Sequence, residues 1–89
     1  MKHAGNEALD TIDELLAKVR VHEGLTEKKR GTFYRKSSAF LHFHEDPAGM
    51  FADLKIDGEF QRFRVSTKTE QSAFLKRVAS ALGDTRPRA

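Results

Sequence analysis

Two histidines one residue apart, His42 and His44, are followed along the chain by Asp53, Arg62 and Arg64. Alternate side chains of an extended segment share a face, so both imidazoles could reach one metal ion, with Asp53 or Glu45 as further ligands. Arg62 and Arg64 argue against that, because their charge would lie beside any bound cation and oppose it. The pattern is therefore read without a metal. The same imidazoles, held as cations by Asp53 or acting as neutral donors, would instead help the two arginines hold an anion. Catalysis would need a nucleophile beside a base, or two carboxylates in a cleft. Ser37 and Ser38 fall in a turn without the glycines of a nucleophile elbow, and no phosphate-cradling glycine loop occurs. His42 with Asp53 is a dyad without a nucleophile. The expectation is a non-enzymatic binder with no cofactor.

The elements that must position these residues follow from periodicity. Leu9, Ile12, Leu15, Leu16 and Val19 recur at three- and four-residue steps, which predicts a helix over 7–22 capped by Asn6 and stopped at Gly24. Residues 25–31, with Glu27, Lys28, Lys29 and Arg30, lack any period and read as an exposed connection. From Thr32 the period becomes two, giving strands over 33–35, 39–44, 50–56 and 60–66. Lys36-Ser37-Ser38, Asp46-Pro47-Ala48-Gly49 and Asp57-Gly58 separate them, the last being the dipeptide that a two-residue type I′ turn favours. Thr67 and Glu70 have the spacing of a capping box, and Phe74, Leu75, Val78, Ala81 and Leu82 form the stripe of a helix ending at Gly83. Residues 84–89 read as a flexible C-terminal tail.

The order is α-β-β-β-β-α: one α+β domain over 1–83, a four-stranded antiparallel meander with an N-terminal and a C-terminal helix packed on one face. Closing the hairpins by their turns pairs His44 with Phe51, His42 with Asp53 and Phe40 with Lys55, then Lys55 with Phe60, Asp53 with Arg62 and Phe51 with Arg64. Alternation places Ala39, Leu41, Phe43, Met50, Ala52, Leu54, Ile56, Phe63 and Val65 on the core face. The opposite face carries Phe40, His42, His44, Phe51, Asp53, Lys55, Phe60, Arg62 and Arg64. Cross-strand pairing alone would account for such a mixture of rings and charges. As a working surface it suits an anionic ligand or a protein partner, including a second copy of the chain, and rings among cations could also hold single-stranded nucleic acid.

The chain has 89 residues, 16 Lys and Arg against 13 Asp and Glu, a formal charge of +3 and no cysteine. Its core must therefore come from packing without disulfides or thiolate chemistry, as suits a cytoplasmic protein. No apolar run approaches the ~20 residues of a membrane span, so no membrane partner is expected. The stretch Phe40-Leu41-His42-Phe43-His44-Glu45-Asp46-Pro47-Ala48-Gly49, followed by Phe51-Ala52-Asp53-Leu54-Lys55, resembles that of small uncharacterised bacterial proteins. The element order over Thr32 to Leu82 is similar to YjbR-like domains; the resemblance implies a small α+β fold and carries no catalytic residue over.

Overall fold

The computed structural model describes residues 1–83, and the tail expected over 84–89 lies outside the described residues. Among the described residues the fold is α+β, with a six-stranded antiparallel sheet and three helices rather than four strands and two helices. In chain order these are β1 (Lys2–His3), α1 (Asn6–Asp10), α2 (Asp13–Arg20), β2 (Leu25–Lys29), β3 (Thr32–Arg35), β4 (Ser38–Asp46), β5 (Gly49–Ile56), β6 (Glu59–Arg64) and α3 (Lys68–Ala81). The sheet runs β2-β3-β4-β5-β6, and β1 joins it by pairing with β4. No helix among the described residues is long and apolar enough to cross a membrane.

The helix expected over 7–22 is broken at Thr11 and Ile12. The Thr11 hydroxyl donates to Ala8 O at 2.6 Å, and Ile12 N donates to Leu9 O, three residues back. A hydroxyl bonding back to the preceding turn, followed by a second β-branched residue, disrupts the i→i−4 ladder. The cap position falls on Gly5 rather than Asn6, whose side chain accepts from Arg30 instead.

Residues 25–31 are the first strand and the turn of a hairpin completed by β3, rather than an exposed connection. β2 pairs with β3 from Leu25↔Arg35 to Lys29↔Thr32, with a register shift between Glu27 and Lys29. Its charges suit an edge strand, where Lys and Glu discourage pairing with other chains, and that composition hides the strand from a periodicity reading. Arg30 is not a free cation: it donates to Asp10 Oδ1 at 2.7 Å and to Asn6 O at 3.2 Å, fastening the hairpin to α1.

The turns that set parity behave as expected. Asp57 and Gly58 both have positive φ, 52° and 84°, the pair of values a type I′ turn requires. Asp46 Oδ2 accepts from Ala48 N at 3.0 Å across the other turn. Five of the six anticipated pairs on β4, β5 and β6 stand in the ladders; the Phe40–Lys55 pair does not, since the β4–β5 ladder starts at Leu41↔Leu54. At α3 the capping box is complete, with Glu70 N donating to the Thr67 hydroxyl and Thr67 N donating to Glu70 Oε1.

One cluster forms the core. Leu9, Ile12, Leu15, Leu16 and Val19 from the broken helix and Phe74 and Val78 from α3 pack with Leu41, Phe43, Ala52, Leu54 and Val65. Met50, Ile56 and Phe63 are only partly buried at its margin. Two aromatics join it unexpectedly. Phe33, 1% exposed, comes from β3, and Phe40, 3% exposed, comes from the face assigned to ligands. Along β3 the partners step from Leu41 to Ala39, so Phe40 is the unpaired residue of a β-bulge. A bulge re-aims the side chain it carries, and here it sends a ring into the core beside Leu41.

Candidate functional site

The two hairpin turns bring His42, Asp53 and Arg62 into one row across β4, β5 and β6, because His42 pairs with Asp53 and Asp53 with Arg62. Asp53 is 8% exposed and His44 9%, unusual burial for polar side chains on a sheet face away from the helices. They are buried because they are satisfied. Arg62 grips the carboxylate with both arms of its fork, Nε donating to Oδ1 at 2.8 Å and Nη2 to Oδ2 at 2.9 Å. His44 Nε2 lies 3.1 Å from Oδ2 on the other side. Burial by itself raises the Asp53 pKa, but the Arg62 hydrogen bonds and charge, with smaller help from His44 and His42, more than offset it and hold the carboxyl below its ordinary range.

The histidines meet each other more closely than they meet the carboxylate. His42 Nδ1 and His44 Nε2 are 3.0 Å apart, whereas His42 Nδ1 is 3.9 Å from Asp53 Oδ2. Desolvation lowers the His42 pKa, and the neighbouring His44 lowers it further. The Asp53 carboxylate opposes both, and the balance still favours the uncharged form of the His42 ring. It is roofed by Phe60, whose ring centroid is 4.9 Å from its own.

A third imidazole stands beside this pair, and sequence reasoning missed it. β1 aligns His3 opposite His44, with Ala4 N donating to Phe43 O at 3.1 Å and Gly5 N to Glu45 Oε2 at 2.8 Å as the chain leaves the strand. The His3 ring centroid lies 4.8 Å from that of His44 and 5.7 Å from that of His42. One nitrogen from each of the three rings falls within 4.8 Å of the other two. A two-residue strand has no period to detect, so the only sequence signal was the histidine itself.

The remaining anticipated site residues divide. Phe51, Lys55, Phe60, Arg62 and Arg64 stay on the open face, with Lys55 Nζ 5.3 Å from the Phe60 ring centroid and the Arg64 guanidinium 5.9 Å from that of Phe51. Arg64 also leans toward α3, its Nε 3.4 Å from Glu70 Oε2. Phe40 is separated from this group by the bulge and is not available to a ligand on that face. What fold and face together define is a small α+β protein with one helix-covered sheet face and one face of histidines, rings and arginines. Set against protein-family models, curated proteins and solved structures, the chain matches none.

Proposed function

We propose that this protein is a binding module rather than an enzyme, and that it takes an anionic ligand on the open sheet face beside Phe51, Phe60, Arg62 and Arg64. The observation that carries the reading is Phe60: a large ring left 43% exposed, with Lys55 over it, on the same strand as two half-exposed arginines. An uncovered ring beside cations offers both stacking area and charge to a planar or phosphorylated group. Against catalysis stands the distance from His42 Nδ1 to Asp53 Oδ2, 3.9 Å, beyond hydrogen-bond range of the carboxylate that would orient it as a base.

Two phosphate probes test it: inorganic tripolyphosphate and a fluorescein-labelled oligothymidylate. Tripolyphosphate should bind the full chain in calorimetry, with affinity that falls as salt rises and falls again in Arg64→Glu. Binding of the oligothymidylate alone, lost in Phe60→Ala, would favour single-stranded nucleic acid, since base stacking needs the ring. If neither probe binds and sedimentation finds a salt-independent dimer lost in Phe60→Ala, the face serves a second copy of the chain. Absence of all three behaviours would sink the assignment of this face as a working surface.

A further inference from the structure

The geometry points to a transition-metal site at His3, His42 and His44, with Asp53 Oδ2 as a fourth ligand, suited to zinc and to its tetrahedral substitute cobalt(II). This goes beyond anion binding by the arginines and does not depend on it.

Zinc holds imidazole nitrogen at roughly 2.0 to 2.1 Å in tetrahedral geometry, so neighbouring ligand atoms stand about 3.3 Å apart. The distances here bracket that value: 3.0 Å between His42 Nδ1 and His44 Nε2, 3.1 Å from His44 Nε2 to Asp53 Oδ2, and 3.9 Å from His42 Nδ1 to the same oxygen. His3 completes the set from a different strand, with its nitrogen within 4.8 Å of both others. It is the exposed member, so closing the remaining gap of up to about 1.5 Å to the spacing zinc needs asks movement only of a surface side chain. The two inner histidines and the carboxylate are already fixed by β4 and β5.

The charge of Arg62 and Arg64 opposes a metal beside His42 and His44, but each arginine is paired with a carboxylate, which weakens that opposition. Arg62 does not face a bound cation as a free charge, because it is fork-bonded to Asp53. Arg64 is drawn toward Phe51 and Glu70. A carboxylate oxygen has a lone pair to spare after one guanidinium hydrogen bond, and carboxylates that ligate a metal are themselves usually hydrogen-bonded from outside, as Arg62 does for Asp53. Imidazole and carboxylate together suit zinc better than calcium or magnesium, which prefer all-oxygen shells.

The test is calorimetric titration of the tag-free full chain with zinc chloride at neutral pH, with cobalt chloride as a spectroscopic probe. The expected result is one ion per chain, a higher melting temperature in the presence of zinc, and the intense visible absorption of tetrahedral cobalt(II). His3→Ala should weaken zinc binding at least tenfold while leaving the metal-free melt unchanged, since His3 is exposed. His22→Ala, which alters the one histidine outside the cluster, should leave binding unchanged. Nitrogen-15 spectra of the imidazoles should show His42 perturbed at Nδ1 and His44 at Nε2. Absence of saturable zinc binding overturns the site, and so does binding that His3→Ala leaves intact or that His22→Ala abolishes.

Discussion

Arg62 and Asp53 face each other across β6 and β5, and the guanidinium meets the carboxylate with two parallel hydrogen bonds of 2.8 and 2.9 Å. One partner is half exposed and the other nearly enclosed, with side-chain exposures of 50% and 12%. The pair is therefore asymmetric. Losing the outer partner strands a buried charge, whereas losing the charge strands nothing of comparable cost. Arg62→Met should lower the urea midpoint, and Asp53→Asn placed in that background should recover part of the loss. A double-mutant cycle read by denaturation checks this; strictly additive effects would show that the fork contributes nothing.

A second carboxylate ties the helical layer to the edge of the sheet. Glu27 on β2 accepts from Arg20 Nε at 2.6 Å and Nη2 at 3.0 Å and from Gly31 N at 2.9 Å. The Arg20 hydrogen bond is the main cause holding the Glu27 pKa below its ordinary 4.5; burial raises it, and the Gly31 N–H and the Arg20 and Arg30 charges lower it further. With the folded pKa depressed, the contribution is fully present above the unfolded value and is lost as pH falls through the folded one. Glu27→Gln should cost about 0.5 to 1 kcal/mol at neutral pH, discounted because the pair is partly solvated. The gap from the parent should close in acid. Urea melts of both proteins from neutral pH to about pH 3 would reveal it, given the ordinary carboxylate range.

The glycines that close the two central turns, Gly49 and Gly58, should respond differently to alanine. Gly49 has φ +135°, and a Cβ there would collide with the Ser66 hydroxyl, which itself accepts from Met50 N at 2.9 Å. Gly58, at φ +84°, has open space around its missing Cβ. Gly58→Ala should therefore carry only the left-handed backbone penalty, about 1 to 2 kcal/mol. Gly49→Ala adds a clash to a worse backbone region and should cost about 3 kcal/mol. Equal losses in thermal melts would mean that Ser66 moves aside freely.

How much of this could be read from residues alone depends on where each element's information resides. Asp57-Gly58 and Asp46 to Gly49 are local signals, and between them they fix the parity of β5 and β6 and bring His42, Asp53 and Arg62 into line. β2 carries only Leu25 as a partly buried apolar residue among charges, so its strand character lies in backbone pairing with β3 rather than in a pattern. β1 is a sharper case. Lys2 and His3 are strand only because β4 extends past the end of β3 and offers free backbone groups at His44 and Glu45. The third histidine was illegible for the same reason. The break at Thr11 was equally silent, since both halves of the helix keep one apolar stripe toward the core.

The bulge at Phe40 supplies the last prediction, because it divides two rings that alternation had placed on one face. Phe40 is the residue of β4 left without a partner on β3, and its ring is 3% exposed within the core cluster. Phe60, on the edge strand β6, is 43% exposed and touches the His42 ring and the Lys55 ammonium. Truncating a buried phenylalanine loses its transfer free energy and leaves a cavity, so Phe40→Ala should cost about 3 to 5 kcal/mol. That is a large share of the stability of so small a chain, and the variant should be largely unfolded at physiological temperature. Phe60→Ala removes half-exposed cross-strand contacts and should cost about 1 kcal/mol or less. A partial refill isolates the cavity: Phe40→Leu restores much of the lost apolar volume in the bulge and should recover more than half of what Phe40→Ala loses. Thermal and urea melts of the three variants decide the matter. If Phe40→Ala melts with Phe60→Ala, the two rings share one face and the bulge does not re-aim the chain; if Phe60→Ala collapses as well, the open face is part of the core.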